Sequence, residues 1–215
     1  MMFWDLRGTR GRKLTVFNGF RASANFLAGA FSILLEDEMS RTIFISGGAR
    51  CGKSIFAEKL ARTFGAPLGY LATAQPLDEE MDERIRRHRQ RRGDDWTTIE
   101  EAIHLSQALA RCDGQYQAIL VDCLTLWLTN LLFKYEDSAE QIEERIHEDL
   151  QRLKSTLHGM VTPVIFVSNE VGMGIVPDNI LARVFRDISG TANQSMAALA
   201  DEAYVVISGI PLKLK

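Results

Sequence analysis

From residue 42 onward, short apolar runs alternate with longer stretches in which apolar side chains return every three or four positions. The runs 42–46, 69–73, 118–122, 164–168 and 203–208 are rich in Ile, Val, Leu, Phe and Tyr. Their lack of in-out alternation is the pattern of strands buried on both faces. Between them lie helical periodicities. Residues 53–64 follow the first run directly, and 78–90 and 99–111 come before the central run. After that run Leu124, Leu128, Leu131, Leu132 and Tyr135 fall near one helical face. The stretch 139–158 is a charged helix with Ile142, Ile146, Leu150, Leu153 and Leu157 on one stripe, and 179–201 is another, with Asp178 placed to cap it. Strands alternating with helices predict an α/β domain on a mostly parallel sheet.

The first 38 residues do not share this rhythm. Arg7, Arg10, Arg12, Lys13 and Arg21 precede an apolar patch at 26–35, and the acidic run Glu36-Asp37-Glu38 follows it. A basic start before a short apolar run resembles a secretory signal, but an acidic run stands where a small-residue cleavage site belongs. The expected organisation is therefore a poorly ordered, dispensable extension over 1–39 and one catalytic domain over 40–215. The patch at 26–35 is too short to cross a bilayer. The longer stretch 118–133 carries Asp122, Thr125, Thr129 and Asn130, so it reads as a buried strand followed by a helix. No membrane span is expected, and neither a repeat nor a low-complexity linker divides the domain.

Composition narrows the chemistry. With 46% hydrophobic and 25% charged residues the 215-residue chain can build a full core, which excludes wholesale disorder. A net charge of -3 supplies no global field for nucleic acid or an anionic membrane. Cys51, Cys112 and Cys123 form no CxxC pair, which argues against a disulfide scaffold or structural zinc and suits a cytoplasmic protein. Four histidines are too few for a His-rich metal cage.

Gly47-Gly48-Ala49-Arg50-Cys51-Gly52-Lys53-Ser54 matches G-x-x-x-x-G-K-[ST] in full, with a strand before it and a helix after. The glycines let backbone N–H groups turn inward around phosphate oxygens, and the helix N-terminus adds its positive end. Lys53 is expected to reach the β/γ oxygens and Ser54 to ligate Mg²⁺. The chain is thus expected to bind a nucleoside triphosphate on a P-loop NTPase fold. Asp122, closing an apolar strand, is expected beside the loop as the second magnesium-associated group.

Two further segments carry candidate chemistry. Residues 81–92 crowd Arg84, Arg86, Arg87, Arg89, Arg91 and Arg92 around His88, which shares a helical face with Leu77, Met81 and Ile85. This pattern fits a solvated basic helix, a polyanion site in which a neutral imidazole attacks phosphorus, or a nucleic-acid stripe. The scarcity of interleaved aromatics weakens the last. Residues 168–178 leave a strand through Gly172, Gly174 and Pro177, at the sheet end where α/β proteins bind ligands. Asn169 and Glu170 there either contact substrate or cap a turn.

From residue 42 to the end the chain resembles the bifunctional adenosylcobinamide kinase/adenosylcobinamide-phosphate guanylyltransferases of cobalamin biosynthesis. The residues carrying the resemblance are the phosphate loop, Tyr70-Leu71-Ala72-Thr73-Ala74, Asp78-Glu79-Glu80-Met81 leading to Arg84-Ile85 and His88-Arg89, Thr129 to Phe133, the stretch 168–177, Phe185-Arg186-Asp187-Ile188 and Asn193-Gln194. The resemblance implies a RecA-like sheet and two reactions. ATP or GTP phosphorylates the aminopropanol hydroxyl of the corrinoid, and GTP then guanylylates a histidine, here His88, which passes GMP to that phosphate. It also implies guanine-nucleotide contacts from Ala72, Thr73, Ala74, Arg89, Gln90, Arg91, Arg92, Glu100 and Asp122, and a trimeric assembly. Cys51 departs from the pattern, since serine often holds its place. A small-molecule kinase without covalent nucleotide and a nucleic-acid motor module are the rival readings. The net charge counts against the motor, so no nucleic-acid partner is expected.

Overall fold

The computed structural model of the chain describes residues 41–75 and 93–215, apart from the side chains of 138–140. The extension over 1–39 and the arginine-rich segment 78–92, with His88, Arg89, Gln90, Arg91 and Arg92, lie outside the described residues.

All five predicted strands form, with ends displaced by at most one residue. They are β1 (Thr42–Gly47), β2 (Leu68–Ala72), β4 (Ala118–Asp122), β5 (Val164–Asn169) and β6 (Glu202–Ile207). Two more join them, β3 (Trp96–Glu100) and β7 (Ile210–Lys213). The sheet runs β3-β2-β4-β5-β1-β6-β7, parallel throughout except for β7, which pairs antiparallel with β6.

The helices are α1 (Lys53–Arg62), α2 (Leu105–Cys112), α3 (Leu124–Lys134), α4 (Ile142–His158) and α5 (Ile180–Leu199), with a 3₁₀ segment at Glu136–Gln141 ahead of α4. The helix expected over 99–111 needs correction. Residues 96–100 (Trp-Thr-Thr-Ile-Glu) are strand, because an aromatic and β-branched run fits the open edge beside β2, and α2 begins at Leu105. The cap of the last helix also moves. Asn179, not Asp178, is the N-cap, and its side chain accepts from the Ala182 N–H at 3.1 Å. β7 is the return of a two-residue turn with positive φ at Ser208 (50°) and Gly209 (83°), which suits the right-handed twist of a hairpin. Pro211 is tolerated because β7 is an edge strand.

Side-chain alternation along the strands divides the core into two layers. Phe44, Leu71, Ile119, Val121, Val164 and Phe166 pack against α2 to α5, where Trp127 is 1% exposed and donates its indole N–H to the Ile103 carbonyl at 2.8 Å. The predicted stripe on α4, Ile142 to Leu157, is buried in this layer. On the other face Ile43, Ile45, Leu68, Tyr70, Leu120, Ile165 and Val167 lie with Ala57 and Ala61 of α1. That helix packs across β1, β5 and β4, so its N-terminus and the carboxyl ends of three strands meet at one edge of the sheet.

Candidate active site

The connection from β1 to α1 is the phosphate loop, and the rest of the sheet holds its shape. Its turn closes on itself through the Cys51 N–H to the Gly48 carbonyl at 3.3 Å. Gly52, at φ 98°, is the N-cap residue of α1 and occupies a left-handed conformation that disfavours any side chain. Gly47 is required for a different reason. A Cβ there would lie 2.6 Å from the Val206 carbonyl oxygen and 2.7 Å from the Cys51 sulfur. Arg50 takes φ 58° without being glycine.

Two neighbours brace this loop from outside. The Gly209 N–H, in the β6–β7 turn, donates to the Cys51 carbonyl at 2.8 Å, and the Glu170 N–H, after β5, donates to the Gly47 carbonyl at 3.0 Å. Neither contact was expected from the sequence. The Ser-Gly dipeptide between two apolar runs was a usable turn signal. Nothing in the sequence paired that turn with the loop. Lys53 is 7% exposed, and its ammonium donates to the Gly48 carbonyl at 2.9 Å, which places the charge against the concave backbone. Ser54 follows in the first turn of α1.

Asp122 closes β4, but the expectation that it sits beside the loop is refined by the strand order, because β5 lies between β4 and β1. Two strand spacings of about 4.8 Å separate the two strands. α1 spans that gap on the face to which Asp122 belongs. The carboxylate is aimed by Tyr70, whose hydroxyl donates to Asp122 Oδ2 at 2.8 Å. Behind it, burial first and then the Asp122 charge push the Cys123 thiol up to about 12, against smaller opposing effects that include the Lys53 ammonium. Lys53 and Asp122 therefore act on one neighbourhood although one opens α1 and the other closes β4.

The register aligns three further predicted residues. Ala72 pairs with Glu100 on one side and Asp122 on the other, so the three stand level at the ends of β3, β2 and β4. Ala74 follows two residues later. Thr73 is 0% exposed, and its hydroxyl donates to the Cys123 carbonyl at 2.8 Å and accepts from the Cys123 N–H at 2.9 Å. Its carbonyl accepts from Asn130 Nδ2 at 2.8 Å, and the same amide reaches the Ala102 carbonyl at 3.0 Å. Thr73 therefore ties β2 to β4 and α3.

A buried polar chain supports the end of β5. Ser168 donates to Asn193 Oδ1 at 2.7 Å and lies 3.2 Å from the Thr125 hydroxyl, which accepts from the Asn169 N–H at 2.6 Å. Asn193 Nδ2 returns to the Asn169 carbonyl at 3.1 Å. The main-chain N–H groups of Asn169 and Glu170 both serve to position the loop ends.

The donor set at this edge consists of hard oxygens, the Ser54 hydroxyl and the Asp122 carboxylate. With one carboxylate oxygen bonded to Tyr70, the pair suits Mg²⁺ shared with substrate phosphates rather than held in an all-protein cage. No helix among the described residues is long and apolar enough to cross a membrane.

Comparison with known proteins gives the site its context. A sequence model of the family described as "Cobinamide kinase / cobinamide phosphate guanyltransferase" matches residues 43–214. The chain is 42% identical over 180 residues to the bifunctional adenosylcobalamin biosynthesis protein CobU of Escherichia coli K12, across 80% of this chain and 99% of that protein. It is 44% identical to the protein of the same name from Salmonella typhimurium LT2, with the same coverage. Identity to the bifunctional adenosylcobalamin biosynthesis protein CobP of Pseudomonas aeruginosa PAO1 is 40% over 171 residues, 80% of this chain and 95% of that protein. A braced phosphate loop on a parallel sheet, matched over almost the whole domain, makes this chain a member of the cobinamide kinase/cobinamide phosphate guanylyltransferase family.

Proposed function

We propose that this chain phosphorylates the aminopropanol hydroxyl of adenosylcobinamide with ATP or GTP, then transfers GMP from GTP through His88 to give adenosyl-GDP-cobinamide. The observation that carries the reading is the phosphate loop, already closed around Lys53, in a chain of this family. Residues 47–54 cradle the triphosphate, with Lys53 as the point charge at its β/γ oxygens. Ser54 and Asp122 would hold Mg²⁺, which when bound neutralises charge on the phosphate oxygens. Ala72, Ala74, Glu100 and the stretch Arg89, Gln90, Arg91 and Arg92 contact the guanine nucleotide. Thr73 serves from beneath by fixing the ends of β2 and β4.

In the transferase half, a ring nitrogen of His88 attacks the α-phosphorus of GTP and the bond to pyrophosphate breaks. An oxygen of the corrinoid phosphate then attacks the same phosphorus, the P–N bond breaks and the imidazole is restored. Splitting the transfer gives each step a good leaving group. The arginines around His88 disfavour its protonation and offset charge developing on the phosphoryl oxygens.

The catalytic unit is assigned to 40–215 and the extension to 1–39, supported by the family match starting at 43. A homotrimer is supported by the family resemblance and by the edge strand β7, where Ile210 and Leu212 are exposed. The cytoplasmic assignment is supported by three free cysteines.

The test is incubation with GTP labelled at the α-phosphate, Mg²⁺ present, followed by counting of precipitated protein. An acid-labile, base-stable label, absent from His88→Ala, is the expected result. Folded wild-type protein that takes up no label but turns over ATP with corrinoid would reduce the function to the kinase half.

A further inference from the structure

Between β5 and α5 the chain reads Val171-Gly172-Met173-Gly174-Ile175-Val176-Pro177-Asp178-Asn179. Met173 is 90% and Ile175 97% exposed, and Val176, Ile180 and Leu181 stand at 59%, 72% and 41%. Soluble proteins seldom present so many large apolar side chains together without a use for them. The segment is nonetheless anchored at both ends. The Glu170 N–H holds the Gly47 carbonyl, and the Arg183 guanidinium donates to the carbonyls of Pro177 at 2.9 Å and Asp178 at 2.6 Å. Its root is thus bonded directly to the phosphate loop.

We propose that residues 171–181 form the surface on which the ring of the corrinoid acceptor rests, an inference that depends on the kinase and guanylyltransferase reading above. Phosphoryl transfer needs the acceptor oxygen within about 3–3.5 Å of the phosphorus, so the acceptor must dock on something fixed relative to the phosphate loop. The Glu170–Gly47 bond, which continues the β1–β5 ladder, fixes the root of this segment in that way. A corrinoid has broad apolar ring faces rimmed by carboxamides. Met173 and Ile175 supply apolar contact, and the exposed glycines Gly172 and Gly174 offer the main chain beside them to the carboxamides. A nucleotide base has no comparable apolar extent.

The test uses the full chain carrying Met173→Ser and Ile175→Ser together, with Ile175→Leu as the conservative companion. Steady-state phosphorylation is followed with cobinamide as the varied substrate, then with ATP varied, and guanylylation by GTP is measured without corrinoid. The serine pair is expected to raise the KM for cobinamide at least about tenfold, with the KM for ATP and the GTP labelling within about twofold of wild type. Ile175→Leu is expected to retain the wild-type KM. An unchanged cobinamide KM in the serine pair, or a parallel rise in the KM for ATP, overturns the docking surface. Loss of assembly by light scattering in the serine pair, with cobinamide KM intact, overturns it in favour of a contact between copies. Wild-type protein unable to phosphorylate cobinamide would instead remove the underlying functional reading.

Discussion

The connections after β1 and after β5 leave adjacent strands at the same end of the sheet and touch through one hydrogen bond, yet they are built in opposite ways. Between 47 and 53 the backbone is closed from within by Cys51 and Lys53 and from outside by Gly209 and Glu170, and a single added carbon at Gly47 has nowhere to go. Between 171 and 179 the ends are tied but the side chains between them stand in water. Leaving a side chain of the size of Met173 or Ile175 unburied forgoes about 1.5–3 kcal/mol each. The contrast separates two tasks. The transferred group needs a rigid cradle that is ready before it arrives, whereas a large acceptor needs an open surface that it covers itself.

The strongest way to break this contrast is to give the tight loop slack. Gly47→Ala would force a Cβ against the Val206 carbonyl and the Cys51 sulfur, both backed by a strand or the loop itself. Overpacking of this kind costs about 1–3 kcal/mol. Because the loop must shift to relieve it, nucleotide affinity should fall at least about tenfold, while an alanine at Gly174, where a Cβ meets the Val171 carbonyl oxygen at an ordinary 3.7 Å, leaves nucleotide affinity unchanged. Equilibrium titration with a fluorescent nucleotide measures both. Equal affinities in the two variants would show that the loop tolerates displacement and that its bracing is incidental.

A milder perturbation addresses the brace alone. At Gly209 a Cβ meets open space, so Gly209→Ala adds no clash and acts only through its φ of 83°. That conformation costs an L-residue about 1–2 kcal/mol. The hairpin should loosen, the N–H to Cys51 should weaken, and the nucleotide KM should rise a few-fold while kcat changes less. Gly209→Asn, which accepts left-handed backbone more readily, should recover most of the loss. Identical kinetics for wild type and alanine variant would detach the hairpin from the site.

How much of this was legible beforehand follows the range of the interactions. The phosphate loop, the five strands and the stripe on α4 are local patterns, so the sequence carries them in full. β3 was hidden because Ile99, Ala102 and Ile103 mimic a helical spacing, and only pairing with β2 turns 96–100 into strand. The Tyr70–Asp122 bond and the Thr73–Cys123 clamp join residues about fifty positions apart, and their partners become visible only once the register is fixed. The relation of Asp122 to the loop is decided at the same point, because strand order sets what stands beside what.

A third connection at this sheet end, between β3 and α2, offers the smallest and most selective test, since it takes the closed design and uses a charge to achieve it. Glu101 Oε1 accepts the N–H groups of His104 at 2.8 Å and Ile103 at 3.1 Å, and Oε2 lies 3.7 Å from Arg111. Burial works to raise the pKa of this carboxyl, but the two N–H groups, His104 and Arg111 together hold it below its ordinary value. A group depressed in the folded state contributes stability that is present above its unfolded pKa, near 4.3 for glutamate, and is lost as pH falls through the lower folded value. Thermal melts should therefore show Glu101→Gln less stable than wild type at pH 7 by no more than about 1 kcal/mol, because the site is partly open to solvent. The difference should narrow below about pH 4 as the wild-type carboxylate protonates. A gap that persists unchanged to pH 3 would mean that the carboxylate's charge does not close this connection. The closed design would then rest here on backbone geometry alone, unlike the phosphate loop, where the Lys53 ammonium takes part.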